Sequence, residues 1–181
     1  MQYDIKAKET RYGGINFRSR LEAKWAAFFD LIGWNWTYEP VDFCGWTPDF
    51  VIKGSSDTVY VEVKPIYDID KKVTDKIDAS DCADEVLLLG AQGPFCSGYL
   101  CIGWLRDRWF HDDECPVSAW DKAVMGRWNQ EGGQIGFCTE GGSYTDRITG
   151  KYDGSCGYDV DLEEVQELWR QAHNRTRFIV P

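Results

Sequence analysis

The sequence has no apolar run close to the roughly 20 residues that a membrane-spanning helix needs. Its first ten residues, MQYDIKAKET, lack the apolar stretch of a signal peptide. It has only two histidines, His111 and His173, and neither lies beside an evident nucleophile, which argues against Ser/His or Cys/His catalysis. These absences predict a soluble, cytoplasmic protein without a membrane partner.

Paired cysteine motifs are also absent. The chain contains seven cysteines, an odd number, and no Cys-x-x-Cys pair, so we expect reduced thiols. Five of them could supply zinc ligands together with His111: Cys96, Cys101, Cys115, Cys138 and Cys156. Because their gaps are irregular, we do not expect a structural zinc.

The chain also lacks net positive charge, because its formal net charge is -10. Residues 1–66 carry 8 Lys/Arg against 9 Asp/Glu, whereas residues 67–181 carry 12 against 21. Contacts to phosphate come from Lys and Arg, so this acidity argues against a protein that coats nucleic acid. The first 25 residues are locally basic, however, and bound metal ions would add positive charge to a site.

Hydrophobic residues make up 43% of the chain and aromatic residues 15%, which indicates a folded globular protein. A turn over 54–57 precedes a predicted strand over 58–66, in which three valines alternate with polar residues and Glu62 and Lys64 share the other face. A tight hairpin would bring Asp49 beside them. Two carboxylates and an ammonium group suit a divalent metal beside a reacting phosphate.

The remaining pattern predicts an α/β (α+β) fold. A charged helix over 68–80 between strands 58–66 and 85–90 forms a βαβ unit, so those strands should be parallel with a right-handed crossover. Gly33 should end the first helix. We further predict helices over 18–32, 116–128 and 161–173, strands over 34–43 and 98–105, an irregular arm over 1–14, and loops or hairpins over 129–159.

Four segments place these residues in a recognisable order: Phe17-Arg18-Ser19-Arg20-Leu21-Glu22, Trp36-Thr37-Tyr38-Glu39, Thr47-Pro48-Asp49-Phe50 and Val61-Glu62-Val63-Lys64. They resemble the PD-(D/E)XK nuclease superfamily, in particular phage junction-resolving endonucleases and the nuclease subunit of some transposases. The resemblance covers roughly residues 13–66. It implies a restriction-endonuclease-like core over 15–105, with a central mixed sheet flanked by helices. A basic arm over 1–14 would precede the core. A loop-rich C-terminal extension over 106–181 would pack on it and recognise substrate or partner.

The resemblance also implies roles for the site residues. Asp49, Glu62 and the carbonyl of Val63 would hold Mg²⁺ or Mn²⁺, and Lys64 would orient the attacking water or stabilise the transition state. Glu22 would complete a metal site or orient water. Two structural roles remain open for Glu22, a capping box with Ser19 and an ion pair with Arg18 four residues earlier.

We therefore expect a metal-dependent endonuclease that hydrolyses DNA, is encoded by a phage or mobile element, and acts inside the host cell. The resemblance suggests branched or double-stranded DNA as the substrate, and a homodimer if both strands are cut. Candidate DNA-binding residues are Lys8, Arg11, Arg18, Arg20, Lys71 and Lys72. The alternatives are a solvated N-terminal arm and a solvated face on helix 68–80. The alternative function is a non-catalytic nuclease-like module whose acidic C-terminal half binds or inhibits a protein partner.

Overall fold

The computed structural model describes residues 7–82, 84–106, 120–128, 133–141, 144–152, 154–157 and 159–177. Within them the fold is mixed α+β. The helices are α1 (Arg20–Ile32), α2 (Lys71–Asp78) and α3 (Leu162–Arg177). The strands are β1 (Thr10–Tyr12), β2 (Ile15–Phe17), β3 (Trp36–Tyr38), β4 (Phe50–Lys53), β5 (Thr58–Val63), β6 (Glu85–Leu89), β7 (Phe95–Ser97), β8 (Tyr99–Arg106), β9 (Trp120–Arg127) and β10 (Ile135–Thr139).

One eight-stranded sheet organises the molecule. Its strand order is β10-β9-β8-β6-β5-β4-β3, and β7 pairs with β8. Strands β5 and β6 are parallel, as the predicted βαβ unit requires, and the other described strand pairs are antiparallel. Strands β1 and β2 form a separate hairpin, and β3 is the edge strand next to the β4–β5 hairpin. The predicted turn over 54–57 therefore joins two strands whose far ends carry the candidate site.

Helices cover both faces of this sheet. Helices α1 and α3 pack together on one face, where the rings of Trp25 and Trp169 lie 4.4 Å apart between centroids. Helix α2 covers the other face, where Ile77 packs with Trp46 and Trp104. None of the described helices is both long enough and apolar enough to cross a membrane. The site described below lies between these two layers, at the end where β5 finishes.

Helix α1 begins and ends where its sequence predicts. Ser19 is the N-cap, and its hydroxyl accepts a hydrogen bond from the Glu22 amide at 3.1 Å. Gly33 ends the helix in the left-handed region, at φ 73°, where a residue without Cβ is favoured. The predicted charged helix is α2, and Asp70 caps it through a hydrogen bond from the Lys72 amide.

Three predictions of secondary structure are wrong. Trp120–Arg127 is strand β9 rather than part of a helix over 116–128, and residues 116–119 lie outside the described ranges. The strand predicted over 34–43 is confined to Trp36–Tyr38. Within the segment expected to be an irregular arm, Thr10–Tyr12 pairs with Ile15–Phe17. Hydrogen bonds to neighbouring strands determine the secondary structure of these segments. A local sequence pattern does not show which strands will pair.

Candidate active site

The candidate carboxylates meet where β4 begins and β5 ends. Asp49 directly precedes β4, and Glu62 lies one residue before the end of β5. Antiparallel pairing of Phe50 with Val61 brings the two positions side by side, as the hairpin pattern predicts. Asp49 and Glu62 are only 2% and 3% exposed, so both carboxylates are held in a desolvated environment.

Asp49 is held from two directions. Its Oδ2 accepts a hydrogen bond from the backbone amide of Val63 at 2.7 Å. Its Oδ1 accepts one from Nη2 of Arg18, also at 2.7 Å. The side chain of Arg18 is 58% exposed and also pairs with Glu39 at 2.8 Å. The structure therefore places Arg18 at the carboxylates, whereas the sequence predicted a contact to DNA.

Glu62 also has a partner on each oxygen. Its Oε1 lies 2.5 Å from Nζ of Lys64, which confirms that these two side chains project together. Its Oε2 accepts a hydrogen bond from Nε1 of buried Trp46 at 2.9 Å. The indole fixes the orientation of the carboxylate, and the Lys64 side chain, 37% exposed, reaches solvent.

Glu22 joins the same region from α1. It is 7% exposed, and its two oxygens accept hydrogen bonds from the Tyr38 hydroxyl and the Ser19 hydroxyl, both at 2.6 Å. The Ser19 half of the capping box is present, but the Glu22 side chain turns toward Tyr38 rather than back to the cap amide. Arg18 pairs with Asp49 and Glu39, so the alternative ion pair with Glu22 is not formed.

Backbone strain occurs beside this network. Glu39 has φ 42°, a left-handed conformation that side chains other than glycine rarely adopt. Its amide donates to the Asp49 carbonyl at 3.0 Å, and its carboxylate binds Arg18. These contacts hold Glu39 in place and couple the end of β3 to the start of β4. Strained residues of this kind cluster at functional sites.

The pKa values of two site residues are raised by burial and by neighbouring carboxylates. Burial, followed by the charge of Glu62, raises the pKa of Asp49 to about 7, although Lys64 and the Val63 amide act in the opposite direction. Burial and the hydrogen bond to Glu22 raise the pKa of Tyr38, which keeps its hydroxyl a donor. The carboxylates therefore occupy a site that is short of positive charge.

Ligand geometry for a metal is only partly formed. Among the described residues, no group of three or more His, Cys, Asp or Glu side chains is gathered closely enough to hold an ion. Of the five cysteines considered for zinc, Cys115 lies outside the described residues, as does His111. The oxygen atoms present at the carboxylate cluster are those of Asp49, Glu62 and Glu22, and the carbonyl of Val63.

The other basic candidates are dispersed. Lys8 and Arg11 are exposed near the β1–β2 hairpin, and Arg20 is half-buried in the first turn of α1. On α2, Lys71 pairs with Asp75 at 2.6 Å and Lys72 is exposed. Since α2 covers the opposite face of the sheet from α1, these residues do not form one surface.

Sequence reasoning missed three residues that organise the site. The sequence analysis assigned Arg18 to DNA and gave no role at the site to Tyr38 or Trp46. All three contact a candidate carboxylate directly: Asp49, Glu22 and Glu62, respectively. Each is a donor placed next to an acid only by the tertiary fold. Arg18 and Tyr38 lie within the quoted segments, and Trp46 directly precedes the segment Thr47-Pro48-Asp49-Phe50.

Trp46→Phe should weaken binding of a divalent metal about tenfold, because Glu62 loses the donor that orients it. Titration with Mn²⁺ monitored by calorimetry measures this change. Trp36→Phe is the matched control, since its Nε1 donates to exposed Asp30 at 2.8 Å. Equal metal affinity in wild type and Trp46→Phe would rule out an orienting role for the indole.

No family model, curated protein or solved structure matches this chain.

Proposed function

We propose that the protein is a divalent-metal-dependent DNA endonuclease with a restriction-endonuclease-like core. The observation that carries this proposal is the convergence of Asp49, Glu62 and Lys64 at one end of the β4–β5 hairpin. Glu22 of α1 adds a further carboxylate to the same electrostatic environment. Buried carboxylates with a perturbed pKa beside a solvent-reaching lysine are typical of a reactive centre rather than of a solvated strand face.

The residues present fit Mg²⁺ or Mn²⁺. Hard oxygen ligands suit these ions, and the raised pKa of Asp49 indicates a cluster that would gain from added positive charge. Asp49, Glu62 and the Val63 carbonyl would hold the ion, and Glu22 would complete the site. When bound, the ion would lower the pKa of a water molecule and offset charge on the phosphate.

The chain's own residues supply the remaining requirements. Lys64 reaches solvent from its ion pair with Glu62, so its ammonium group can approach a phosphate oxygen or the attacking water. Trp46 and the Val63 amide fix the orientation of the two carboxylates. Arg18 pairs with both Asp49 and Glu39, and its exposed side chain has room to move when another cation takes its place beside Asp49.

The proposal is tested by cleavage of a DNA panel comprising linear duplex, single-stranded, supercoiled and four-way-junction substrates, each with Mg²⁺, Mn²⁺ or EDTA. We expect metal-dependent cutting that Glu62→Gln reduces at least about a hundredfold, because one carboxylate ligand becomes neutral. Preference for the junction would support a role on branched DNA from a phage or mobile element. Size-exclusion chromatography of the protein with its preferred substrate tests the proposed homodimer.

Asp75→Asn is the control, since Asp75 is an exposed carboxylate on α2 outside the site. Its cleavage rate should match that of wild type. If wild type cuts no substrate and calorimetry detects no bound Mg²⁺ or Mn²⁺, the nuclease proposal fails. The acidic C-terminal half would then be the part of the chain to test for a protein partner.

A further inference from the structure

A cationic ridge runs along the packed surface of α1 and α3. We define it as Arg20, Lys24 and Arg177, and His173 lies near all three. Lys24 extends over the ring of Trp169, with Nζ 3.7 Å from the ring centroid. Arg20 precedes Lys24 by four residues, and His173 and Arg177 follow Trp169 by four and eight. Residues four apart on a helix share one side, so the two series lie along facing sides of antiparallel helices.

The positive charges of this ridge lie close enough to shift the pKa of His173. Burial lowers the pKa of His173, and the positive charges of Lys24, Arg177 and Arg20 lower it further. A group whose positive form is disfavoured by neighbouring charges lies in a positive local field, and such a field attracts an anion.

Arg20 has an unused donor within this ridge. Its Nε is buried, and it has no hydrogen-bond partner among the residues that the structure describes. A ligand that arrives from solvent cannot reach this nitrogen, so Arg20 would meet an anion through the outer nitrogens of its guanidinium group. Guanidinium groups pair readily with phosphate oxygens, because their donors match the spacing of those oxygens.

The ridge lies at the same end of the sheet as the candidate active site. Arg20 shares the first turn of α1 with Glu22. Farther along α1, Trp25 Nε1 donates to the Gly90 carbonyl at 3.1 Å. The preceding carbonyl, that of Leu89, accepts from the Lys64 amide at 3.0 Å. These contacts place the N-terminal half of α1, which carries Arg20 and Lys24, against the ends of β5 and β6.

We propose that the cationic ridge binds the phosphate backbone of double-stranded DNA beside the phosphate that is cut, an inference that rests on the proposed function. Lys24 lies over Trp169, and Arg177 follows Trp169 by eight residues, so the ridge extends along about 12 Å of α3. This length is greater than that of a single phosphate group. Repeated anions along a strand fit this shape better than one small ion. The net charge of -10 would repel DNA elsewhere on the protein, so the ridge would also set its orientation.

The experiment measures binding of a short fluorescent duplex by anisotropy over a series of salt concentrations, with Ca²⁺ replacing Mg²⁺ to separate binding from cleavage. The variants are Arg20→Gln, Lys24→Gln, Arg177→Gln and their triple combination. We expect each single change to weaken binding about two- to fivefold and to lower the salt slope by about one. The triple variant should lose affinity by roughly the product of the three single losses.

Two controls separate charge from packing. Lys53→Gln removes an exposed lysine at the turn end of β4, far along the hairpin from Asp49, and should bind like wild type. Lys24→Arg keeps the charge above Trp169 and should also bind like wild type. Thermal unfolding of each variant shows whether the helix pair is intact.

The outcomes distinguish this inference from the proposed function. If wild type cuts DNA but the triple variant binds within twofold of wild type with an unchanged salt slope, the ridge proposal fails and the nuclease proposal stands. If the ridge variants lose binding but wild type never cuts, the ridge stands and the nuclease proposal fails. If wild type binds no duplex, both are overturned.

Discussion

Asp49→Asn should abolish cleavage and at the same time make the metal-free protein more stable at pH 8. Cleavage should fall about 10³-fold or more, because a charged ligand is lost and metal binding supplies several kcal/mol of transition-state stabilisation. Asp49 is 2% exposed and lies beside Glu62, so its ionised form is costly in the absence of a metal. Stability should rise because this cost exceeds the gain from the ion pair with Arg18, whose side chain is 58% exposed. A residue kept for structure alone would not behave in this way.

The pH dependence follows from the direction of the shift. The pKa of Asp49 rises from 3.8 to about 7 on folding, so the folded state holds the proton more tightly than the unfolded state. The stability that this proton provides is complete below about pH 4 and is lost as the pH rises to about 7. Asp49→Asn removes this loss, so the melting temperature should rise by several degrees at pH 8 and change little at pH 4.

Asp146→Asn provides the matched control. Asp146 is equally buried, but it accepts hydrogen bonds from the backbone amides of Phe137, Ile148 and Thr149. Asp146→Asn should therefore lower the melting temperature, because one oxygen that accepts backbone hydrogen bonds becomes an NH₂ group that cannot accept them. Adding Mg²⁺ should raise the melting temperature of wild type at pH 8 but not that of Asp49→Asn. Destabilisation of Asp49→Asn as large as that of Asp146→Asn would mean that Asp49 serves mainly to bind Arg18.

The part of the site that lies on one hairpin could be predicted from sequence. Period-two alternation placed Glu62 and Lys64 on one face of β5, and a short turn placed Asp49 opposite them. Each of these steps uses local geometry only. The charged helix was also predictable from its local pattern. Because one helix between two strands makes a single crossover, the parallel pairing of β5 with β6 followed from it.

The donors that hold the carboxylates could not be predicted in this way. Arg18 lies 31 residues from Asp49, and Tyr38 lies 16 from Glu22, so only the tertiary fold determines these contacts. The spacing of Trp120, Val124 and Trp128 was misleading for a different reason. A four-residue repeat fits one side of a helix, but it is also an even number and fits one face of a strand. Pairing of β9 with both β8 and β10 decides for the strand.

Lys64→Met should lower the rate of cleavage about 10²- to 10³-fold while leaving metal binding intact or stronger. The loss in rate follows because the ammonium group of Lys64 reaches solvent beside Glu62. Removing one preorganised group that stabilises charge in the transition state has this cost. In wild type, Nζ of Lys64 lies 2.5 Å from Oε1 of Glu62 and neutralises it. Methionine carries no charge, so Glu62 stays fully available to the metal in the variant. Single-turnover cleavage and Mn²⁺ calorimetry on the same preparation measure the two effects separately.

The comparison between these two measurements decides the role of Lys64. If Lys64→Met lost metal affinity and cleavage in parallel, the lysine would act by positioning Glu62 and not on the phosphate. Lys53→Met, an exposed lysine on the neighbouring strand, should change neither quantity. Lys64→Arg keeps the positive charge with a longer and planar head group, so partial recovery of cleavage is expected if charge near the phosphate is what matters. A rate for Lys64→Met equal to that of wild type would remove Lys64 from the mechanism, and the proposed reaction would then depend on the carboxylates alone.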